Sequence, residues 1–305
     1  MLLVVLGHVL PINKIDFYNL ATYDWIFSFH MPLFIFVSGY FTNIHDNRKF
    51  WRGIILLTES YLVFTILHIC IMLIQGGSIG LDIFYVPRWT LWYLLSLIWW
   101  RFMIHFTPNG VRDKHLMLVF LSVVLCLVAG WIPLGKELSF QRTFYFLPFF
   151  VFGYVAKQRN TTLTINPLFA ALVLLIVWMV FFVFQWNNII LLQQFDNMHY
   201  GPATRTFIIR VALLVLASCM SVCFLSIVPR KEKSWTRFGR DTLFIYMWHS
   251  VILSWRYNLR DFFNLPTTLP FCIIYAVVVL LIIYLLRKMT FFNWLLNPIT
   301  SLTHK

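Results

Sequence analysis

Three histidines sit inside long apolar runs: His8 in MLLVVLGHVLP, His30 in WIFSFHMPLFIFVSGY and His249 in GRDTLFIYMWHSVIL. Imidazole is the side chain that takes up and returns a proton near neutral pH. An ionisable group inside an apolar run is a functional-site candidate by default. At 1.5 Å per residue, His8 lies roughly 6 Å and His30 roughly 8 Å below the same side of the bundle. Neighbouring antiparallel helices joined by a short loop place both imidazoles at similar depth. Facing one cavity, they could hold a proton-transfer centre near neutral pH. The alternative is that each imidazole satisfies a neighbouring carbonyl and glues two helices together. His249 lies about 10 Å into its own run, and the sequence identifies no partner for it. His68 is ambiguous; His45, His105, His115, His199 and His304 fall at segment edges, in loops or in a tail.

The charged residues have two readings each. Arg48, Lys49 and Arg52 follow an apolar run in HDNRKFWRG. They form a cationic mouth suited to phosphates, or they only set topology. Glu59 lies about seven residues into the next run, where it could orient a histidine or form a structural ion pair. Trp92, one turn inside RWTLWYLLSLIWWR, is placed to line a cavity; Trp89, Trp99 and Trp100 read as interfacial residues. Arg142 stands at the outer entrance of QRTFYFLPFFVFGY, where it could anchor the interface, and Pro148 frees a backbone carbonyl that a cavity could use. In Trp25–Tyr40, Pro32 predicts a bend beside His30, and Ser38-Gly39 predicts close helix packing.

The elements that must position these residues follow from composition. The 305 residues are 60% hydrophobic and only 11% charged, against about 25% charged in soluble domains. Apolar runs near the roughly 20 residues needed to cross a bilayer recur along the whole chain. The fold class is therefore all-α: a polytopic integral membrane helix bundle forming a single domain over 1–305. About ten transmembrane segments are expected, at 1–12, 25–43, 53–75, 89–106, 116–132, 142–156, 167–186, 205–228, 242–258 and 269–287. The first is too short to span and is expected to be truncated at its N-terminus. With both termini cytoplasmic, the inner loops and flanks hold about twice as many Lys and Arg as the outer side, in keeping with the positive-inside bias. The net charge of +13 thus reads as topology and gives no reason to expect nucleic acid. The five cysteines lie in apolar runs, and Cys219 and Cys223 lack a nearby histidine or acid, so no metal site is expected. Loops are short, leaving the bundle and its mouths to carry function.

Several stretches together resemble the membrane acyltransferase-three family, especially its fucose 4-O-acetylase-like branch. They are LVVLGH (Leu3–His8), SFHMPLFIFVSGY (Ser28–Tyr40), RKFWR (Arg48–Arg52), LWYLLSL (Leu91–Leu97), RTFYFLPFFVFGY (Arg142–Tyr154) and GRDTLFIYMWH (Gly239–His249). SFHMPLF followed by SGY is the most specific. The arginine usual about ten residues before the first histidine would precede Met1, and the proline common after the basic run is absent from GIILLTESY.

The resemblance implies an integral-membrane O-acyltransferase of the cell membrane, in a bacterium, that binds no resident cofactor. Its donor would be cytoplasmic acetyl-CoA or another acyl-CoA. Its acceptor would be a hydroxyl of a cell-envelope carbohydrate or glycolipid. The first-helix histidine regarded as catalytic in the family matches His8, and the second-helix one matches His30. On this reading Arg48, Lys49 and Arg52 bind acyl-CoA. Trp92, Arg142, Glu59 and His249 line the substrate pocket or stabilise the oxyanion. Direct transfer and an acyl-histidine route both stay open, as does a homo-oligomer. The competing functions are an envelope-lipid or polysaccharide transporter or flippase, and a receptor or scaffold within an envelope complex.

Overall fold

A computed structural model describes residues 1–10, 17–132, 135–184, 203–229, 239, 241–255 and 262–299. Outside them fall His199, His304, several loop lysines and arginines, and the ends of the expected segments at 11–12, 185–186 and 256–258. Among the described residues every regular element is helical. They are α1 (Leu2–Val9), α2 (Phe17–Tyr40), α3 (Asn47–Ile74), α4 (Trp92–Phe106), α5 (Asn109–Arg112), α6 (His115–Ala129), α7 (Phe140–Gln158), α8 (Pro167–Phe184), α9 (Ala203–Ile227), α10 (Thr242–Ser254), α11 (Leu269–Arg287) and α12 (Thr290–Leu296).

Each expected apolar segment coincides with a helix, but five are long and apolar enough to cross a membrane: α2, α3, α8, α9 and α11. α6 and α10 are apolar but shorter. α7 is long enough yet carries Gln141, Arg142 and Thr143 in its first turns. It can afford them because it is buried on most sides, from Gln141 to Ala156, where neighbouring helices rather than lipid meet its polar groups. α8 and α11 do the opposite. Leu168, Phe169 and Leu175 on α8, and Ile274, Leu281 and Leu285 on α11, are exposed apolar side chains of the kind lipid covers.

Two helices begin earlier than their hydropathy indicates. α2 starts at Phe17 because a polar stretch is absorbed by tertiary contacts. Asn19 Nδ2 donates to the Thr267 carbonyl at 2.6 Å, and Trp178 Nε1 donates to Thr22 Oγ1 at 3.2 Å. α3 starts at Asn47, where Asp46 is a side-chain N-cap accepting the Lys49 N–H at 3.0 Å.

The packing of neighbours closes a ring. α2 packs on α7, α7 on α4, α4 on α3, α3 on α10, α10 on α11, α11 on α1, and α1 back on α2. α8 and α9 cover α2 from outside the ring, and α6 covers α7. The tightest join is between α2 and α7. A methyl group at Gly39 would run into the carbonyl oxygen of Phe150, and one at Gly153 into that of Phe36. Close approach explains the glycine in both SGY and FGY.

Candidate functional site

The ring encloses the histidines. His8 on α1 and His249 on α10 lie with ring centroids 5.5 Å apart. His30 on α2 approaches them from the far side of Phe27, whose ring is edge-on to His8 (5.7 Å) and to His30 (4.7 Å). His30 and His249 act on each other electrostatically, as do His249 and His68 on α3. Four helices therefore send an imidazole toward one region. His30 is 4% exposed and His249 is wholly buried, so any proton they exchange stays within the bundle.

The tautomers of three of these imidazoles follow from geometry. His30 Nδ1 is 2.8 Å from the Ile26 carbonyl oxygen, His68 Nδ1 is 2.8 Å from that of Phe64, and His249 Nδ1 is 3.2 Å from that of Ile245. A carbonyl oxygen can only accept, so each neutral ring carries its proton on Nδ1. Nε2 is then the basic nitrogen. The Nε2 atoms of His68 and His249 are buried with no hydrogen-bond partner among the described residues.

Below this chamber lies a collar of aromatic rings. Phe34, Tyr93 and Tyr246 are mutually packed, with centroids 5.0–5.8 Å apart, and Tyr246 touches His249 at 5.4 Å. Ser38 donates to the Phe34 carbonyl at 2.9 Å, which leaves the Tyr93 hydroxyl to donate into Ser38 at 2.6 Å. Arg142 stacks its guanidinium 5.2 Å over Trp92, Trp92 in turn stacks on Phe146 at 5.5 Å, and Arg142 interacts electrostatically with Tyr246. Trp92, Arg142 and His249 thus belong to one connected wall.

Glu59 bonds to the chain just beyond α12. Its carboxylate accepts the Ile299 backbone N–H, while the neighbouring Ser60 Oγ lies 3.1 Å from the Leu296 carbonyl oxygen. The pair fastens α3 to the segment after α12, a structural post. Pro148 also faces away from the chamber. It lines an apolar groove of about 580 Å³ with residues of α6 and α9, Cys219 and Cys223 among them.

Arg48, Lys49 and Arg52 are exposed on the first turns of α3, at the opposite end from His8. Lys49 pairs with Asp46 at 3.3 Å. The Lys49 backbone N–H, and after it the Lys49 ammonium, holds the Asp46 carboxyl below the usual carboxylate range. These cations stand at a helix start, the positive end of the helix dipole, which itself favours anions. The sequence missed a neighbour, Arg101 on α4. A side chain at Gly53 would collide with Arg101 Nη1, so the missing side chain after Arg52 makes room for the guanidinium. Its Nε is buried without a partner among the described residues. The signal was Gly53 itself, small and directly following the basic run. From Arg52 to His68 is 16 residues of α3, about 24 Å of helix.

Among the described residues no group of three or more His, Cys, Asp or Glu could hold a metal ion. The model of an acyltransferase domain family, acyltransferase 3, matches residues 1–288. The chain belongs to the acyltransferase-3 family. That match takes in the six helices that contribute the histidines, the collar, the wall of Arg142 and Phe146, and the basic end. No curated protein and no solved structure matched the chain. Membership makes the protein a membrane acyltransferase; the donor, acceptor and chemistry rest on the site.

Proposed function

We propose that this acyltransferase-3 member is an O-acyltransferase, moving an acetyl group from acetyl-CoA to a hydroxyl of a cell-envelope carbohydrate or glycolipid. The observation that carries the reading is the enclosed imidazole cluster, with His8 beside His249 and His30 one ring away. It lies between a cationic end and the opposite end, where Trp89 is part-exposed. On this reading the basic end is cytoplasmic and about ten helices span or enter the membrane. Arg48, Lys49, Arg52 and Arg101 hold the CoA phosphates, and the pantetheine arm runs along α3 and α4, past the aromatic collar.

The step balances as follows. A basic imidazole nitrogen, that of His8, removes the proton from the acceptor hydroxyl as its oxygen bonds to the thioester carbonyl carbon. The carbon–sulfur bond breaks and sulfur leaves with the electron pair. The imidazolium returns the proton to the thiolate, releasing CoA. His249 and His30 buffer the charge on His8 through their Nε2 lone pairs. Both neutral rings have their proton committed to a helix carbonyl, so the oxyanion falls to Arg142, a permanent cation. The buried aromatic wall excludes the water that would hydrolyse the thioester. The same residues would allow an acyl-histidine intermediate on His8.

The test is incubation of membranes containing the protein with radiolabelled acetyl-CoA, followed by fractionation of envelope glycans and lipids. Label is expected on a carbohydrate fraction, and His8→Ala should abolish it while the protein still inserts. Equal labelling by His8→Ala membranes would overturn the assignment. Acceptor movement across the membrane without label would favour a transporter.

A further inference from the structure

Trp89 reads from sequence as an ordinary interfacial tryptophan, but the structure puts three constraints on it. Its φ is 40°, in the left-handed region that a bulky residue rarely occupies. The residue after it is clamped: Tyr246 O–H donates to the Thr90 carbonyl at 2.6 Å. The residue before it is tethered, with Arg88 paired to Asp82 at 3.4 Å. The result is an indole 5.3 Å from the His8 ring, set at 67° to it, with 40% of the residue still exposed.

An interfacial anchor needs none of this, because it can lie along the headgroups on a relaxed backbone. Backbone strain persists only where neighbours over-determine it, and it clusters where geometry matters to function. The clamp comes from the site itself, since Tyr246 lies one turn from His249 on α10. The same helix therefore fixes an imidazole of the cluster and the angle of the indole above it.

We propose that Trp89 is the acceptor platform of the acyltransferase. Its exposed indole face takes the flat C–H face of a pyranose ring entering from the end opposite the basic mouth, and sets one ring hydroxyl against His8. An indole suits that ligand because it supplies a large rigid apolar face at little conformational cost. This rests on the acyl-transfer reading above. It adds the ring class of the acceptor and the residue that orients it; the bond changes are those already written, with the pyranose hydroxyl as the proton donor and new ester oxygen.

The experiment uses the full chain in nanodiscs, radiolabelled acetyl-CoA as donor and a panel of 4-nitrophenyl hexopyranosides as acceptor probes. Wild type is expected to label at least one pyranoside. Trp89→Ala should raise the KM for that probe about tenfold while the KM for acetyl-CoA stays within twofold, and Trp89→Phe should recover most of the loss. A packing defect would move both constants, so equal changes in the two KM values would overturn the proposal, as would an unchanged acceptor KM. Acetyl-CoA turnover without label on any pyranoside would refute the platform's ligand class and leave the acyltransferase intact. No acetyl-CoA binding or turnover at all would refute the acyl-transfer reading and the platform with it.

Discussion

His30 makes the sharpest test of what a single side chain contributes. Its Nδ1 donates to the Ile26 carbonyl at 2.8 Å, and only Nε2 is available as a base. Asparagine reproduces the donor near the Nδ1 position but offers no basic nitrogen. His30→Asn should therefore melt close to wild type yet lose label transfer by about 10–100-fold, the worth of one interaction with the charge that develops on His8. Transfer within a fewfold of wild type would reduce His30 to helix glue. Glu59 predicts the reverse. Glu59→Gln keeps an acceptor for the Ile299 N–H and should leave activity near wild type. Glu59→Leu leaves that N–H unpaired and should cost about 1–3 kcal/mol, read as a lower melting temperature. The three deep histidines were legible because imidazole is conspicuous in an apolar run. Their pairing was not: the His8–His249 contact joins residues 241 positions apart, and no local pattern reports a partner that distant. One partner of Glu59 was hidden for a related reason, since it is a backbone N–H after α12, invisible to any reading of side-chain types.

At the scale of elements, the contact between α2 and α7 decides whether a chamber exists. It holds α2, which carries His30, against α7, which carries Arg142 and Phe146. Gly39 and Gly153 let the two backbones touch, and there is no side chain to bend out of the way. Gly153→Ala must separate the helices. Overpacking of this kind costs about 1–3 kcal/mol, and the displacement falls on catalytic geometry as well. The expected result is a lower melting temperature together with reduced transfer, whereas Pro148→Ala, on the groove face of the same helix, should change transfer much less. A normal melting temperature for Gly153→Ala would mean the helices do not rely on this contact. Helix positions were largely readable, because ten apolar runs became ten helices. Their starts were not, because α2 and α3 gain their first turns from the bonds to Thr267 and Trp178 and from the Asp46 cap. α7 is polar only in its first turns, at Gln141, Arg142 and Thr143, while its continuously buried stretch, Tyr145–Val151, is apolar.

At the scale of the whole molecule, the closed ring has two unlike ends, and the reaction needs both at once. Arg48, Lys49, Arg52 and Arg101 lie at one end. Trp89 and the His8–His249 pair lie toward the other. On the proposed function, a donor with phosphates is held at the cationic end and its thioester reaches most of the length of α3 to meet the histidines. The acceptor then comes from the Trp89 end. This separation predicts a kinetic and a topological outcome together. Arg48→Gln with Arg52→Gln should raise the KM for acetyl-CoA, with kcat nearly unchanged, because the lost contacts are far from the reacting atoms and are made equally before and during the reaction. The effect should shrink as salt rises, since these side chains are exposed and screened. In sealed proteoliposomes of one orientation, a cysteine at Asn47 and one at Ser78 should react with an impermeant thiol reagent from opposite sides. Acetyl-CoA should be consumed only when supplied on the Asn47 side. If acetyl-CoA works from the Ser78 side, or if the double variant lowers kcat and leaves KM alone, the phosphates are held elsewhere, and the ring cannot divide donor from acceptor in the way its charge implies.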